Sequence, residues 1–372
     1  MERPYFVIDV FTNERFAGNP AAVVTDARGL SIEQMGKIAA EFNLSETTFI
    51  DRHKGTKARR HAGAQSRPMS VPARRERHEG CREHEITNYE LRTTKKASCG
   101  IGEADPISTL GRSDLSAFRF RWFTPKVEVS MCGHATIAGV HALVEETAKS
   151  VEDAKGRKED ATHVDGEARE FRIETKSGVL TAWPEKFPGP GGGQIIWLEL
   201  RPPALEKISI DVGAFARVLR LDPEAVDREL PPARTQDGDL LFFVRDALTV
   251  QAANPDFVGL AALLEKHRCR GVSLASVRTL APSIAIQSRF FAPCVGINED
   301  PVTGSVHGPL AVHLVLHQRV PVHDDEAAMM CVQGTPGGRA GLVYALVKKR
   351  EGDWSVRIGG QAVTVMRGTI VV

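Results

Sequence analysis

The sequence predicts an α+β protein made of two pseudo-symmetric halves, and two observations carry that prediction. First, two distant stretches nearly repeat each other: RWFTPKVEVSMCGHA (Arg121 to Ala135) and RFFAPCVGINEDPVTGS (Arg289 to Ser305). Aligned without gaps, Arg121 matches Arg289, Phe123 matches Phe291, Pro125 matches Pro293 and Val127 matches Val295, so that Cys132 falls on Asp300. Each copy reads as a strand that runs into a glycine-containing turn and then an apolar helix. Second, the elements around these copies come in the same order in both halves. The expected product is two domains whose helix N-termini face each other across a cleft, with Cys132 and Asp300 as polar groups at that cleft.

The elements follow in order. Tyr5 to Val10 and Ala21 to Val24 read as strands, joined by a loop with Gly18, Asn19 and Pro20. Ser31 followed by Gln34 resembles a capping box. It opens an amphipathic helix through about Glu41, with Ile32, Met35, Ile38 and Ala39 on one face. Asn43 to Glu46 is a turn and Thr47 to Ile50 a β-branched strand. A strand pattern runs from Phe118 to Met131, a helix from about His134 to Glu146, then two strands between Phe171 and Trp183 around a Ser177-Gly178 turn, and one more from Ile195 to Leu200. Arg201-Pro202-Pro203 reads as the hinge. In the second half Leu240 to Val244 matches Ala21 to Val24, Phe257 to Lys266 matches the first helix, and Val272 to Val277 matches Thr47 to Ile50, which puts Val272-Ser273 at about the place of Glu46. Leu310 to Leu316 continues the helix after the second copy, and strands follow at Leu342 to Lys348, Trp354 to Ile358 and Ala362 to Met366. The domains expected are 1–203 and 204–360, with 361–372 as a last strand that returns to the first.

Two segments break the pattern. Residues 52–117 carry 14 Lys+Arg against 8 Asp+Glu with few large apolar residues, and such a segment cannot bury enough surface to offset its ordering entropy. It reads as a disordered insertion, and the charged stretch 149–169 as a second, exposed one. The chain as a whole is balanced: 372 residues, 42% hydrophobic, formal net charge +1. That balance points away from nucleic acid and anionic membranes as partners. No apolar run approaches the roughly 18–20 residues that span a bilayer. The first residues enter a strand pattern directly, and six cysteines without CxxC pairs favour reduced thiols, so a cytoplasmic location is expected.

The chemistry is expected where the halves meet. A helix N-terminus offers free N–H groups and the positive end of a dipole, hence an anion site. Gly133 and Gly304 would let a ligand approach the backbone there. Two such ends suit a small carboxylate-bearing substrate. Cys132 beside a helix start would have a stabilised thiolate, or would serve as a small buried filler. His134 titrates near neutrality. Asp300 could accept a proton or orient a ligand. Glu46, between a helix and an apolar strand, could have a raised pKa through partial burial, or could be an exposed turn carboxylate. No GxGxxG or GxxxxGK[ST] motif is present, and Cys81, His84 and Cys99 lack zinc-site spacing, so neither a cofactor nor a metal is expected.

With these residues in hand, a resemblance is plain. GNPAAVV (Gly18 to Val24), NLSETTFI (Asn43 to Ile50), RWFTP…CGHAT, EDPVTGS (Glu299 to Ser305), the Gln333-Gly334…Gly338-Arg339 loop and VRIGGQAV (Val356 to Val363) resemble the phenazine-biosynthesis PhzF-like family, in order and in both halves. The resemblance implies the diaminopimelate-epimerase fold: two similar domains, each a mixed sheet wrapped around a central helix, with the active site between them. It implies a cofactor-independent isomerase, a homodimer, Glu46 as the acid/base that shuttles a proton, and His134 and Asp300 beside it. It places Asn19, Ser45, Cys132, Gly133, Gly304 and Ser305 around the substrate. Related epimerases use two opposed thiols; here Cys132 matches the first and Asp300 stands at the second, so a one-carboxylate proton shift is favoured. The other readings left open are an amino-acid racemase using Cys132 and a non-catalytic binding protein on the same fold.

Overall fold

Alternating and continuously apolar runs build eighteen strands among the described residues, and two helices, one apolar throughout and one in its first half, give those strands something to wrap. The computed structural model describes residues 1–52, 118–156, 170–187, 192–335, 337–350 and 353–372. The expected insertion at 52–117 lies outside them from residue 53 on, as does 157–169 of the second charged stretch.

The first half comprises β1 (Glu2–Val10), β2 (Asn19–Val24), α1 (Ile32–Phe42), β3 (Glu46–Arg52), β4 (Phe118–Phe123), β5 (Glu128–Val129), α2 (Gly133–Gly156), β6 (Phe171–Thr175), β7 (Gly178–Lys186) and β8 (Gln194–Leu200). The second comprises β9 (Leu205–Lys207), α3 (Val212–Val218), β10 (Ala233–Thr235), β11 (Asp239–Phe243), α4 (Ala247–Ala252), α5 (Phe257–Lys266), β12 (Gly271–Ser276), β13 (Ile286–Ala292), β14 (Ile297–Asp300), α6 (Gly304–Leu316), β15 (Glu326–Gln333), β16 (Gly341–Arg350) and β17 (Asp353–Gly360). Last comes β18 (Ala362–Val371).

The pairing is duplicated. In the first half the ladder runs β18-β1-β2-β3-β4-β6-β7-β8, with β2/β3 and β4/β6 parallel. In the second it runs β9-β10-β11-β12-β13-β15-β16-β17, with β11/β12 and β13/β15 parallel. An antiparallel seam between β8 and β17 joins the two. The strand after each seam strand crosses over: β9 leaves the first half to pair with β10, and β18 returns to pair with β1 along its whole length.

Each sheet curls around one helix. α6 is buried on nearly every side, from Gly304 to Leu314, as its apolar sequence GSVHGPLAVHLVL requires. Ala135, Ile137, Ala138, Val140, Ala142 and Leu143 of α2 join the same core. α1 and α5 lie outside, over smaller clusters around Met35 and Phe49 and around Leu260 and Phe291. The capping box is present: Gln34 N donates to Ser31 Oγ (3.1 Å) and Ser31 N donates to Gln34 Oε1 (2.9 Å).

Three expectations change. The strand from Phe118 breaks at Thr124–Val127, where Thr124 Oγ1 accepts from the Val127 and Lys126 amides and Pro125 has no N–H to offer a neighbour. α2 runs to Gly156 rather than ending near Glu146, because Ala148 to Lys155 are mostly good helix formers and glycine ends them. β15 had no strand signal, since Ala, Met and Cys fill its inward positions in place of β-branched residues.

Candidate active site

Strand register shows which residues the two halves place at matching points. Thr47 of β3 lies opposite Phe123, and Val272 of β12 lies opposite Phe291. Phe123 and Phe291 are repeat partners, so Thr47 corresponds to Val272. Glu46 therefore corresponds to Gly271, one residue earlier than Val272-Ser273, and Ser45 corresponds to Arg270. A side chain at Gly271 has no room: a Cβ there would lie 2.8 Å from the Phe290 ring and 2.9 Å from Phe291 O.

The ungapped match of Cys132 to Asp300 is also corrected. Arg121 grips Glu128 with two 2.8 Å hydrogen bonds, seven residues on, and Arg289 grips Glu299 with two of 2.7 Å, ten residues on. Trp122 lies opposite Val129 and Phe290 opposite Asp300. The helices start at Gly133 and Gly304. All three landmarks require three extra residues in the second copy, taken up by the 3₁₀ turn Pro293–Val295 and left-handed Gly296 (φ 82°). Cys132 thus corresponds to Thr303, His134 to Ser305, and Asp300 to Val129.

The two helix starts meet. A Cβ built on Gly133 would lie 3.7 Å from Ser305 N, so the amides that open α2 and α6 share one place. Their glycines serve packing as well as access: the Phe11 ring fills the space beside Gly304 (2.6 Å from a built Cβ), and Ile358 lies 3.6 Å from that of Gly133. Phe11 itself holds a left-handed backbone (φ 66°) and also abuts Gly360 and Gly341, which wedges its ring between elements of both halves.

Against this place stand Glu46, Cys132 and His134. Glu46 heads β3, and its Oε2 is 3.2 Å from His134 Nε2. That approach is off the line of a hydrogen bond, and both atoms are buried without a hydrogen-bond partner among the described residues. His134 Nδ1 lies 3.4 Å from Cys132 Sγ. Burial pushes the Glu46 carboxyl above its usual range, His134 partly opposes that, the Asp300 charge adds to it, and the Cys132 thiol and Arg270 pull it down. Cys132 is the reverse of the expected stabilised thiolate. Burial first, then the Glu46 charge, drives its thiol well above its ordinary value, and the Ala135 amide only partly compensates. It is held as a thiol. The donor atoms of Glu46, Cys132 and His134 lie within 4.8 Å of one another, a spacing that could also hold a metal ion.

Asp300 arrives from the second half. Its Oδ1 accepts from Asn19 Nδ2 (2.9 Å) and its Oδ2 from Thr303 Oγ1. Asn19 Nδ2 also donates to Val302 O (2.8 Å), while Asn19 Oδ1 is buried and unpaired. Asn19 is positioned by a loop that only glycine can turn: Gly18 has φ 60°, and a Cβ there would strike Val10 O at 2.1 Å. Arg339 clamps that loop through Gly18 O (2.9 Å), Ala17 O (2.7 Å) and Asp9. Ser45 and Ser305 are half-buried at the strand head and the helix start.

One supporting residue lies in the Gln333-Gly334…Gly338-Arg339 motif, to which the sequence assigns no role. Gln333, fully buried at the end of β15, accepts from Thr303 N (3.0 Å) and donates to Asp300 O (2.9 Å) and Thr303 Oγ1 (3.2 Å). It fixes the Asp300–Thr303 turn. Its signal was the Gln-Gly pair that ends a strand, legible only once β15 is known to be a strand.

The chain is similar to known proteins. An uncharacterized isomerase of Clostridium acetobutylicum is 27% identical over 370 residues, covering 98% of this chain and 97% of the relative. Another, from Pseudomonas aeruginosa, is 29% identical over 380 residues, covering 100% and 99%. The crystal structure of a Bacillus anthracis phenazine biosynthesis protein of the PhzF family superimposes with TM-score 0.71 at 20% identity, covering both chains completely. The fold is therefore the diaminopimelate-epimerase-like one, a mixed-sheet α+β architecture. The family model of the phenazine biosynthesis-like proteins (PhzC-PhzF) matches residues 8–62 and 108–368, and the chain belongs to that family.

Proposed function

We propose that this protein is a cofactor-independent isomerase that moves a proton on a small carboxylate-bearing substrate, with Glu46 as the group that takes and returns it. The observation that carries the reading is the Glu46 carboxyl itself: buried, raised in pKa, and set against two converging helix starts. A base poised toward neutrality exchanges protons in both directions more readily than one at the ordinary carboxylate value. The amides of Gly133, His134, Gly304 and Ser305 hold the substrate carboxylate. His134 steadies the charge on Glu46, and Asp300, locked by Asn19 and Thr303, orients the substrate from the other half. Names of relatives such as those in Clostridium and Pseudomonas support the isomerase class.

The racemase alternative fares worse on two counts. Cys132 is held as a thiol, and its counterpart is the Thr303 hydroxyl rather than a second thiol, so no pair of opposed thiol bases is found among the described residues. A cytoplasmic homodimer completes the proposal; sedimentation of the purified protein checks the dimer. A thermal-shift screen of small carboxylic acids finds ligands, since a ligand bound only by the native state raises its stability. On an accepted substrate in deuterated buffer, Glu46→Gln abolishes proton exchange while Cys132→Ser retains it. Exchange that survives in Glu46→Gln sinks the assignment.

A further inference from the structure

The pseudo-twofold relation places one more charged group at the cleft. Arg270 stands where the first half has Ser45, next to the position that answers Glu46. Its side chain is built in rather than loose: Nε and Nη2 bind the two carboxylate oxygens of Asp239 at 2.8 and 2.9 Å. Asp239 is 1% exposed and heads β11, directly opposite Gly271 in the parallel ladder. A buried carboxylate with a bidentate partner fixes the plane of the guanidinium. Nη1 donates no hydrogen bond to any described residue, and 43% of the Arg270 side chain is exposed. Its charge acts on Glu46, Cys132 and Asp300, all in the cleft, so the open edge lies within electrostatic reach of the substrate place. Asp239 is satisfied by one edge of the guanidinium, and the other edge has no partner among the described residues.

We propose that Arg270, oriented by Asp239, is a specificity residue that binds a second anionic group on the substrate, making the preferred substrate class a small dicarboxylate or comparable dianion. This rests on the reading that the helix starts take the first carboxylate. The first half contributes the acid/base and the second half contributes the cation, at neighbouring positions of the same repeat.

The test compares cyclohexanecarboxylate with the 1,2-, 1,3- and 1,4-cyclohexanedicarboxylates, by calorimetric titration of the full-length protein. A hydrogen bond to a charged group contributes about 1.5–3 kcal/mol, which corresponds to about tenfold to hundredfold in affinity. The wild type binds at least one diacid tighter than the monoacid by about that ratio. The double variant Asp239→Asn/Arg270→Met, which leaves no unpaired buried carboxylate, binds monoacid and diacids alike. Arg270→Lys keeps part of the preference. Equal binding of monoacid and diacids by the wild type, or a preference that survives in the double variant, overturns this inference and leaves the Glu46 proposal standing. Failure of every acid to bind the wild type overturns the carboxylate cleft and this inference with it.

Discussion

At the head of β3 stands Glu46; at the head of β12, the matching place in the second half, stands Gly271. The two strands share their register, their antiparallel partner and the bidentate Arg–Glu pair beyond it (Arg121–Glu128 and Arg289–Glu299). Yet one head presents a buried carboxyl to the cleft, and the other is sealed by the Phe290 ring. In the proposed reading the duplicated scaffold thus supplies two helix starts for an anion and Glu46 as the proton-transfer group. Symmetric racemisation needs a base on each face, whereas a single carboxyl suits a proton that leaves and returns on the same side.

The largest effect should come from removing the single carboxyl. Glu46→Gln keeps the shape and loses the proton, and turnover of an accepted substrate should fall about 10²- to 10⁴-fold, the usual contribution of general acid–base catalysis. Next comes the arginine pair, where the halves differ in burial. Arg289 also donates to the Ala253 carbonyl (2.5 Å) and is nearly enclosed, so Arg289→Met should cost about 3 kcal/mol in urea unfolding, as broken buried pairs do. Arg121→Met should cost about 1 kcal/mol, because Glu128 keeps Lys176 as a partner and Arg121 is more exposed than Arg289. Equal losses would mean that the two halves carry their strand–helix links alike. Restoring symmetry by Gly271→Ala should destabilise by about 1–3 kcal/mol through overpacking, with no gain in activity.

The smallest effect is in pH dependence. The folded protein holds the Glu46 proton above pH 4.5, where the unfolded chain has released it. Stability therefore declines as pH rises from 4.5 through the raised folded value, and then levels off. Glu46→Gln removes that decline, so the variant gains on the wild type in thermal melts as pH increases. A difference that stays constant from pH 4 to pH 8 would show an ordinary carboxyl. His307 gives the opposite limb: burial lowers it from 6.5 to about 4, so stability drops as pH falls from 6.5 toward 4.

Much of this was legible in the sequence, for identifiable reasons. The repeat of strand, turn and apolar helix announced the duplicated scaffold, because apolar periodicity and glycine placement are local properties. Glu46, His134, Cys132, Asn19 and Asp300 were all named, and the structure brings them to one place. What stayed hidden was register. Three residues inserted at the Pro293–Gly296 turn leave the flanking motifs intact, so an ungapped match set Cys132 against Asp300. Only the ladder and the Arg–Glu pairs show that Thr303 is its counterpart. The sign of the Cys132 shift was also hidden: the helix start favours a thiolate, but complete burial beside Glu46 outweighs it, and burial depends on the whole fold. The Gln333 motif reads as a loop between strands, and the role of its side chain is hidden because Ala, Met and Cys in β15 give no strand pattern. Arg270 was missed because its meaning comes only from the place it shares with Ser45.

The claim on which the account turns is that Glu46 is a buried carboxyl primed for proton exchange. Its titration can be read directly and without a substrate, as the infrared carboxyl band present in the wild type and missing in Glu46→Gln, followed from pH 3 to pH 8. The account predicts a protonated-carboxyl band whose midpoint of loss lies above pH 4.5. A midpoint at or below pH 4.5 would contradict it.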